Sequence, residues 1–155
     1  MRTLPITASD DEIKTLVVEW IELLAQKRFG DALTMLPYST EEWDWTPELL
    51  ERAIEGYGCP DLDADTIRLM CENWRVARFE VSTLAGRPDK DMVVEEYIDV
   101  DREFQYGLDP HHYLGMVHFS AVPLCGSLSD LTARFHVKKI GEEQLTLEFL
   151  DIHLM

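Results

Sequence analysis

Three stretches, LGMVHFSAV (114–122), SDLTARFHVKKI (129–140) and QLTLEFLDIHLM (144–155), decide how this chain folds. Val117, Phe119 and Ala121 in the first, Leu131, Ala133, Phe135 and Val137 in the second, and Leu145, Leu147 and Phe149 in the third recur at every second residue. That period turns one face of a strand toward a core and the other away from it. Gly141-Glu142-Glu143 joins the last two stretches as a short turn, making them a hairpin. With the turn centred on Glu142, His136 lies opposite Glu148 and Arg134 near Leu150 or Asp151. Phe149 and Leu150 are adjacent apolar residues, and Ile152 and Leu154 continue on the shifted phase, which a β-bulge explains.

Working toward the N-terminus, Gly107 to His112 reads as a loop, and Met92 to Phe104 as a strand with Val93, Glu95 and Tyr97 on one face. Gly86 to Asp91 is a turn, and Arg75 to Thr83 alternates as a further strand. Residues 59 to 73 carry a weaker pattern, with Ile67, Leu69, Met70 and Trp74 compatible with a short helix or an irregular crossing. Before them, Thr46-Pro47 opens a helix with Leu50, Ala53, Ile54 and Tyr57 inward and Gly58 as its stop. Phe29 to Leu36 is a short helix ended by Pro37. Ser9-Asp10-Asp11-Glu12 is a capping box leading into Ile13, Leu16, Val17, Trp20 and Leu24, one apolar stripe on a long helix.

Helices first and strands afterwards predict a single α+β domain over residues 1–155, helical from about 9 to 74 and sheet from about 75 to 155, with N-terminal helices packed on a curved antiparallel sheet of about five strands. The layout resembles the nuclear transport factor 2-like, or cystatin-like, cone, in which a long N-terminal helix lies in the concavity of the sheet. SDLTARF at 129–135 and LEFLDIH at 147–153, with WTPELL at 45–50 and Tyr57-Gly58, resemble a family of small uncharacterised bacterial proteins across about half of the chain. That resemblance implies a bacterial origin and imports no activity.

Charge narrows the function classes. The formal net charge is −16, from 30 acidic against 14 basic residues. Such a field repels phosphate backbones and argues against nucleic-acid binding. No run is long enough to span a membrane, and no apolar segment follows Met1-Arg2-Thr3, so a cytoplasmic protein is expected. Cys59, Cys71 and Cys125, an odd count, read as reduced buried thiols.

Two candidate sites follow. The first is a partner-binding face: Glu41, Glu42, Asp44, Glu48, Glu51 and Glu55, continued by Asp61, Asp63 and Asp65, are offset only by Arg52 and interleaved with Trp43 and Trp45. Aromatic anchors supply affinity and charge supplies association rate, so this face suits a basic protein partner. The competing reading makes the tryptophans core and the acids a solvated rim. The second is a polar cluster on the last hairpin, Asp130, Arg134, His136, Asp151 and His153, able to bind a small anion or move a proton. Its competitor is a cross-strand charge ladder facing solvent.

Other chemistries fit less well. Five histidines are present, but no HxH, HExxH or CxxC spacing, so no metal and no cofactor is expected. Asp61, Asp63, Asp65 and Glu72 have EF-hand spacing, yet Thr66 stands where that loop requires glycine, and the segment reads as an acidic turn. Asp99 and Asp101, near Tyr97 and Tyr106, are the residues an isomerase-type pocket between helix and sheet would use. A homodimer through Leu150, Ile152 and Leu154 on the outer sheet face is a third possibility. The reading that weighs these together is a non-enzymatic acidic protein-binding module, of the kind by which an immunity protein masks a basic toxin.

Overall fold

The computed structural model describes residues 1–103 and 107–154. Five helices, α1 (Asp10–Ala25), α2 (Phe29–Met35), α3 (Pro47–Glu55), α4 (Ala64–Trp74) and α5 (Lys90–Tyr97), accompany a curled antiparallel sheet. The sheet has the order β1 (Leu4–Pro5), β7 (Gln144–Leu154), β6 (Leu131–Ile140), β3 (Tyr113–Phe119), β2 (Ile98–Asp101). A separate small hairpin pairs β4 (Pro123–Leu124) with β5 (Ser127–Leu128). The α+β architecture and the C-terminal hairpin follow the sequence reading. Among the described residues, no helix is long and apolar enough to cross a membrane.

α1 starts where the capping box places it: Ser9 Oγ accepts from the Glu12 N–H, and the Glu12 carboxylate accepts from the Ser9 N–H. Its stripe buries Ile13, Leu16, Val17, Trp20, Ile21 and Leu24 against the inner sheet face. Trp20 is the centre of that contact, 0% exposed, edge-on to Phe135 at 5.2 Å and tilted on Phe149 at 4.8 Å. Its indole N–H donates to the Ala32 carbonyl at 3.2 Å, which ties α2 to α1 while satisfying a buried donor. The space between the long helix and the sheet is therefore filled by aromatic rings.

β6 and β7 carry the expected bulge. Arg134 pairs with Asp151 but Phe135 pairs with Phe149, so Leu150 is the extra residue and every side chain beyond it changes face. That shift corrects the proposed dimer face. Ile152 pairs with Ala133 and is buried with the core, Leu150 is half-buried and only Leu154 is well exposed.

Of the two expected strands before the C-terminal third, one is overturned and the other is found only in its second part. Arg75 to Thr83 forms no strand: Arg75 takes a left-handed conformation that ends α4, and only Val81 bridges, to Leu124. Phe79 and Val81 are buried, so the alternation is real, but the segment lies along a two-residue strand and lacks a ladder to join. The Glu22 carboxylate anchors its far end by accepting from the Leu84 N–H at 2.9 Å. Met92 to Phe104 begins instead as α5 and becomes β2 only at Ile98; Phe104 lies outside the described residues. Val93 and Val94 are adjacent, a pairing that satisfies either period, and the surrounding Lys, Met and Glu favour helix.

Of the two readings of residues 59–73, the helix is the one found: α4, whose N-cap is Asp63, accepting from the Thr66 N–H at 2.8 Å. Smaller corrections follow. α3 ends at Gly56 rather than Gly58, but Gly58 has φ +88°, and a Cβ there would lie 2.7 Å from the His153 backbone. Cys71 is buried, whereas Cys59 and Cys125 are exposed, so two of the three thiols are not core residues.

Candidate functional site

The alternation that buries Phe135 and Val137 sends Thr132, Arg134, His136 and Lys138 to the opposite, outer face of the sheet. Register supplies their neighbours. One row runs Asp99, His118, Arg134, Asp151 across β2, β3, β6 and β7; the next runs Asp101, Met116, His136, Glu148. Cross-strand partners on one face lie close enough for side chains to bond directly.

The first row centres on a fork. Arg134 donates from Nε to Asp151 Oδ1 at 2.9 Å and from Nη2 to Oδ2, and His153 Nδ1 meets the same Oδ1 at 2.9 Å. The bond to Asp151 holds the Arg134 guanidinium above its usual pKa. Burial, and then the nearby Arg134 charge, pushes the His118 imidazole toward its neutral form.

The second row centres on Glu148, buried at 6% exposure and faced by three donors. His136 Nδ1 stands 3.5 Å from Oε1, Tyr113 Oη donates to Oε1 at 3.3 Å, and Lys138 Nζ donates to Oε2 at 2.8 Å. His136 and Lys138 lower the Glu148 pKa to about 2 against the opposing effect of burial. Burial, with the Glu148 charge behind it, raises the Tyr113 phenol, and the bond to Glu148 raises Lys138.

Of the five predicted cluster residues, Arg134, Asp151 and His153 are joined directly, and His136 occupies the neighbouring row. Asp130 stands apart: it is exposed, its backbone N–H donates to the Tyr57 hydroxyl, and its carboxylate bonds to nothing among the described residues. The face is not a solvent-exposed ladder, because His136, Glu148, Asp151 and Thr132 are buried. The sequence reading placed Glu148 opposite His136 without counting it in the cluster, and it did not single out Lys138 or Tyr113. The signal for Glu148 and Lys138 was the strand period itself, since Lys138 follows His136 by two and Glu148 sits across from it.

The acidic stretch is placed by a strap. The Phe149 N–H donates to the Pro37 carbonyl and the Ser39 N–H to the Phe149 carbonyl, both at 2.8 Å, so residues 37–39 lie along the open edge of β7 at the bulge. Trp45, 2% exposed, packs on Phe149 at 5.0 Å and donates its indole N–H to the Leu150 carbonyl at 2.9 Å. It is a core residue that braces the acidic loop, which corrects its assignment as a docking anchor; Trp43, half-buried, remains at the surface.

Glu41, Glu42, Asp44 and Glu48 are exposed and Glu51 and Glu55 half-exposed, and none forms an ion pair among the described residues. Arg52, the cation in their midst, donates to the Pro60 carbonyl instead. The strap brings the two predicted sites together: Glu41 and Glu42 form one wall of a cleft of about 340 Å³, and Met116, Arg134, His136 and Asp151 line the other.

The remaining candidates are dispersed. His111 and His112 are exposed in the loop before β3, and among the described residues no three His, Cys, Asp or Glu side chains converge as a metal site. Asp99 is exposed, Asp101 accepts from the Glu103 N–H, and Tyr106 lies outside the described residues. The buried carboxylates, Glu148 and Asp151, are on the face away from Trp20. No family model matches the chain, and neither a curated protein nor a solved structure does, so the site is read from its own geometry.

Proposed function

We propose that the chain is a non-enzymatic acidic protein-binding module whose 41–55 face docks a basic protein, with toxin masking by an immunity-type protein as its sharper form. The observation that carries this reading is the row of uncompensated carboxylates from Glu41 to Glu55. Like charges held together on one surface repel, and a cationic partner removes that repulsion while the shared field accelerates encounter. Trp43, half-buried beside Trp45 with ring centroids 6.4 Å apart, offers an aromatic contact on a braced support. A bacterial, cytoplasmic setting and the cone-fold family belong to the same reading.

The isomerase-type alternative needs an open pocket between helix and sheet with a carboxylate inside it. Trp20, Phe135 and Phe149 fill that space, which weighs toward docking. Stopped-flow association with a basic toxin encoded beside this chain tests the proposal. The association rate should fall steeply with added salt, and E41Q/E42Q/D44N/E48Q should lower it about tenfold with the dissociation rate little changed. A salt-insensitive complex, or no complex, overturns it.

A further inference from the structure

A second pocket, separate from the outer-face cleft, lies where the end of α4 and the 75–83 segment meet the β4–β5 hairpin. It encloses about 200 Å³. Its floor is apolar and buried: Tyr57, Phe79 and Leu124 are each no more than 6% exposed. Trp74 and Val76 form one side, and the exposed Ser127 stands on the hairpin side. Phe79 lies edge-on to Tyr57 at 5.0 Å and to Trp74 at 6.5 Å, while Trp74 runs nearly parallel to Tyr57 at 6.0 Å. Trp74 is nevertheless 57% exposed, so the indole keeps much of its apolar surface in water beside an aromatic floor. Covering that surface is a gain open to an occupant of the pocket.

The walls are built before anything enters. The Cys125 N–H donates to the Glu80 carbonyl and the Ser82 N–H to the Pro123 carbonyl, both at 2.9 Å, and the Cys125 thiol donates to the Arg78 carbonyl at 3.2 Å. Hairpin and segment are thus held in one piece. Among the described residues four non-glycine positions have positive φ, and three of them, Tyr57, Arg75 and Cys125, border this pocket. Side-chain-bearing residues take that conformation at a cost, and such costs gather where the surrounding structure shapes a site.

Charge selects the occupant. Of the 14 basic side chains only Arg75 and Lys90 neither pair with a carboxylate nor donate to a carbonyl among the described residues. Arg75 is exposed and sits between two lining residues, Trp74 and Val76. The neighbouring acids are taken: Glu72 by Arg68, and Glu80 by Lys27 and Arg78. Asp130 adjoins the far wall at Ser129, where its backbone N–H is held by the Tyr57 hydroxyl and its carboxylate is exposed to solvent. The overall charge of −16 opposes an anion at a distance, a penalty that salt confines to about 8 Å at physiological ionic strength.

We infer that this pocket binds a small planar aromatic acid, its ring on the Tyr57–Trp74–Phe79 wall and its carboxylate at the mouth with Arg75 and the Ser127 hydroxyl. A cavity of about 150 Å³ accepts a benzene ring, so this one has room for one or two fused rings. The guanidinium supplies the planar donor fork that a carboxylate matches. The inference stands apart from the docking face and needs no partner protein.

The test titrates the full chain with indole-3-carboxylate, and with neutral indole-3-carboxamide and cationic tryptamine as controls, following the indole N–H resonances by ¹⁵N NMR. The carboxylate should shift Trp74 saturably with a Kd below about 1 mM, while Trp20, sealed in the core, stays put and reports an intact fold. The carboxamide should bind about tenfold more weakly, and tryptamine more weakly still. R75Q, an exposed substitution, should cost the carboxylate about tenfold and leave the carboxamide unchanged. A silent Trp74, equal binding of carboxylate and carboxamide, tighter binding of tryptamine, or undiminished binding of the carboxylate by R75Q overturns the inference.

Discussion

The two faces of one sheet behave as different materials. The inner face is apolar and closed: Trp20, Phe135, Phe149 and Trp45 meet edge-on or tilted in a continuous aromatic cluster. The outer face of the same strands is polar and nearly as buried, yet it is held by directional bonds among Arg134, Asp151, Glu148, Lys138 and His136. Apolar packing tolerates no charge and gains from every contact, so it settles the fold. Buried ions must be matched one by one, so they add less net stability but fix positions. The difference explains why the cleft lies outside the sheet rather than beneath the helix.

Substitutions can break or sharpen that contrast. Trp20→Ala should have the largest effect, a loss of about 4 kcal/mol in urea-induced unfolding, because no neighbour can refill the indole's volume. A loss below about 1 kcal/mol would mean that the inner face is not the main source of stability. Glu148→Gln removes the anion from between His136 and Lys138 and should cost about 2 kcal/mol, a fall of about 6 °C in the thermal midpoint.

The same residue gives a pH signature. Its folded pKa, about 2, lies below the ordinary 4.5, so its contribution is fully present above the unfolded value and is lost as pH falls through the folded one. Wild-type stability should therefore decline between pH 4.5 and 2 more steeply than that of Glu148→Gln, as followed by acid titration of tryptophan fluorescence. Thr46→Ala should cost about 1 kcal/mol by removing the α3 N-cap, where Thr46 Oγ1 accepts from the Leu49 N–H. Glu48→Gln with Glu51→Gln and Glu55→Gln should leave the unfolding midpoint almost unchanged while slowing association with a basic partner. A clear destabilisation there would make the acids structural.

Legibility differed in the same way. The register of β6 on β7, the bulge at Leu150 and the neighbours Arg134–Asp151 and His136–Glu148 could be read from period and turn length. Caps at Ser9 and Thr46 were equally plain, since each depends on a side chain and an N–H three residues away. Met92 to Tyr97 misled because valines at 93 and 94 fit both periods, and only the packing of α5 settles the choice. Trp45 misled because its indole is held by a carbonyl 105 residues away, a partner no local window contains. The strap of residues 37–39 along β7 was likewise invisible, as it is made of backbone hydrogen bonds that any sequence supplies.

By itself, then, the sequence determined what is local or periodic: which face each strand buries, where α1 and α3 begin, how the last hairpin aligns, and that the molecule is strongly acidic. Only the tertiary structure decided which acids share a wall with His136 and which tryptophan is sealed. Both depend on where the 37–46 segment is carried, which is set by distant carbonyls and by the shape of the aromatic core.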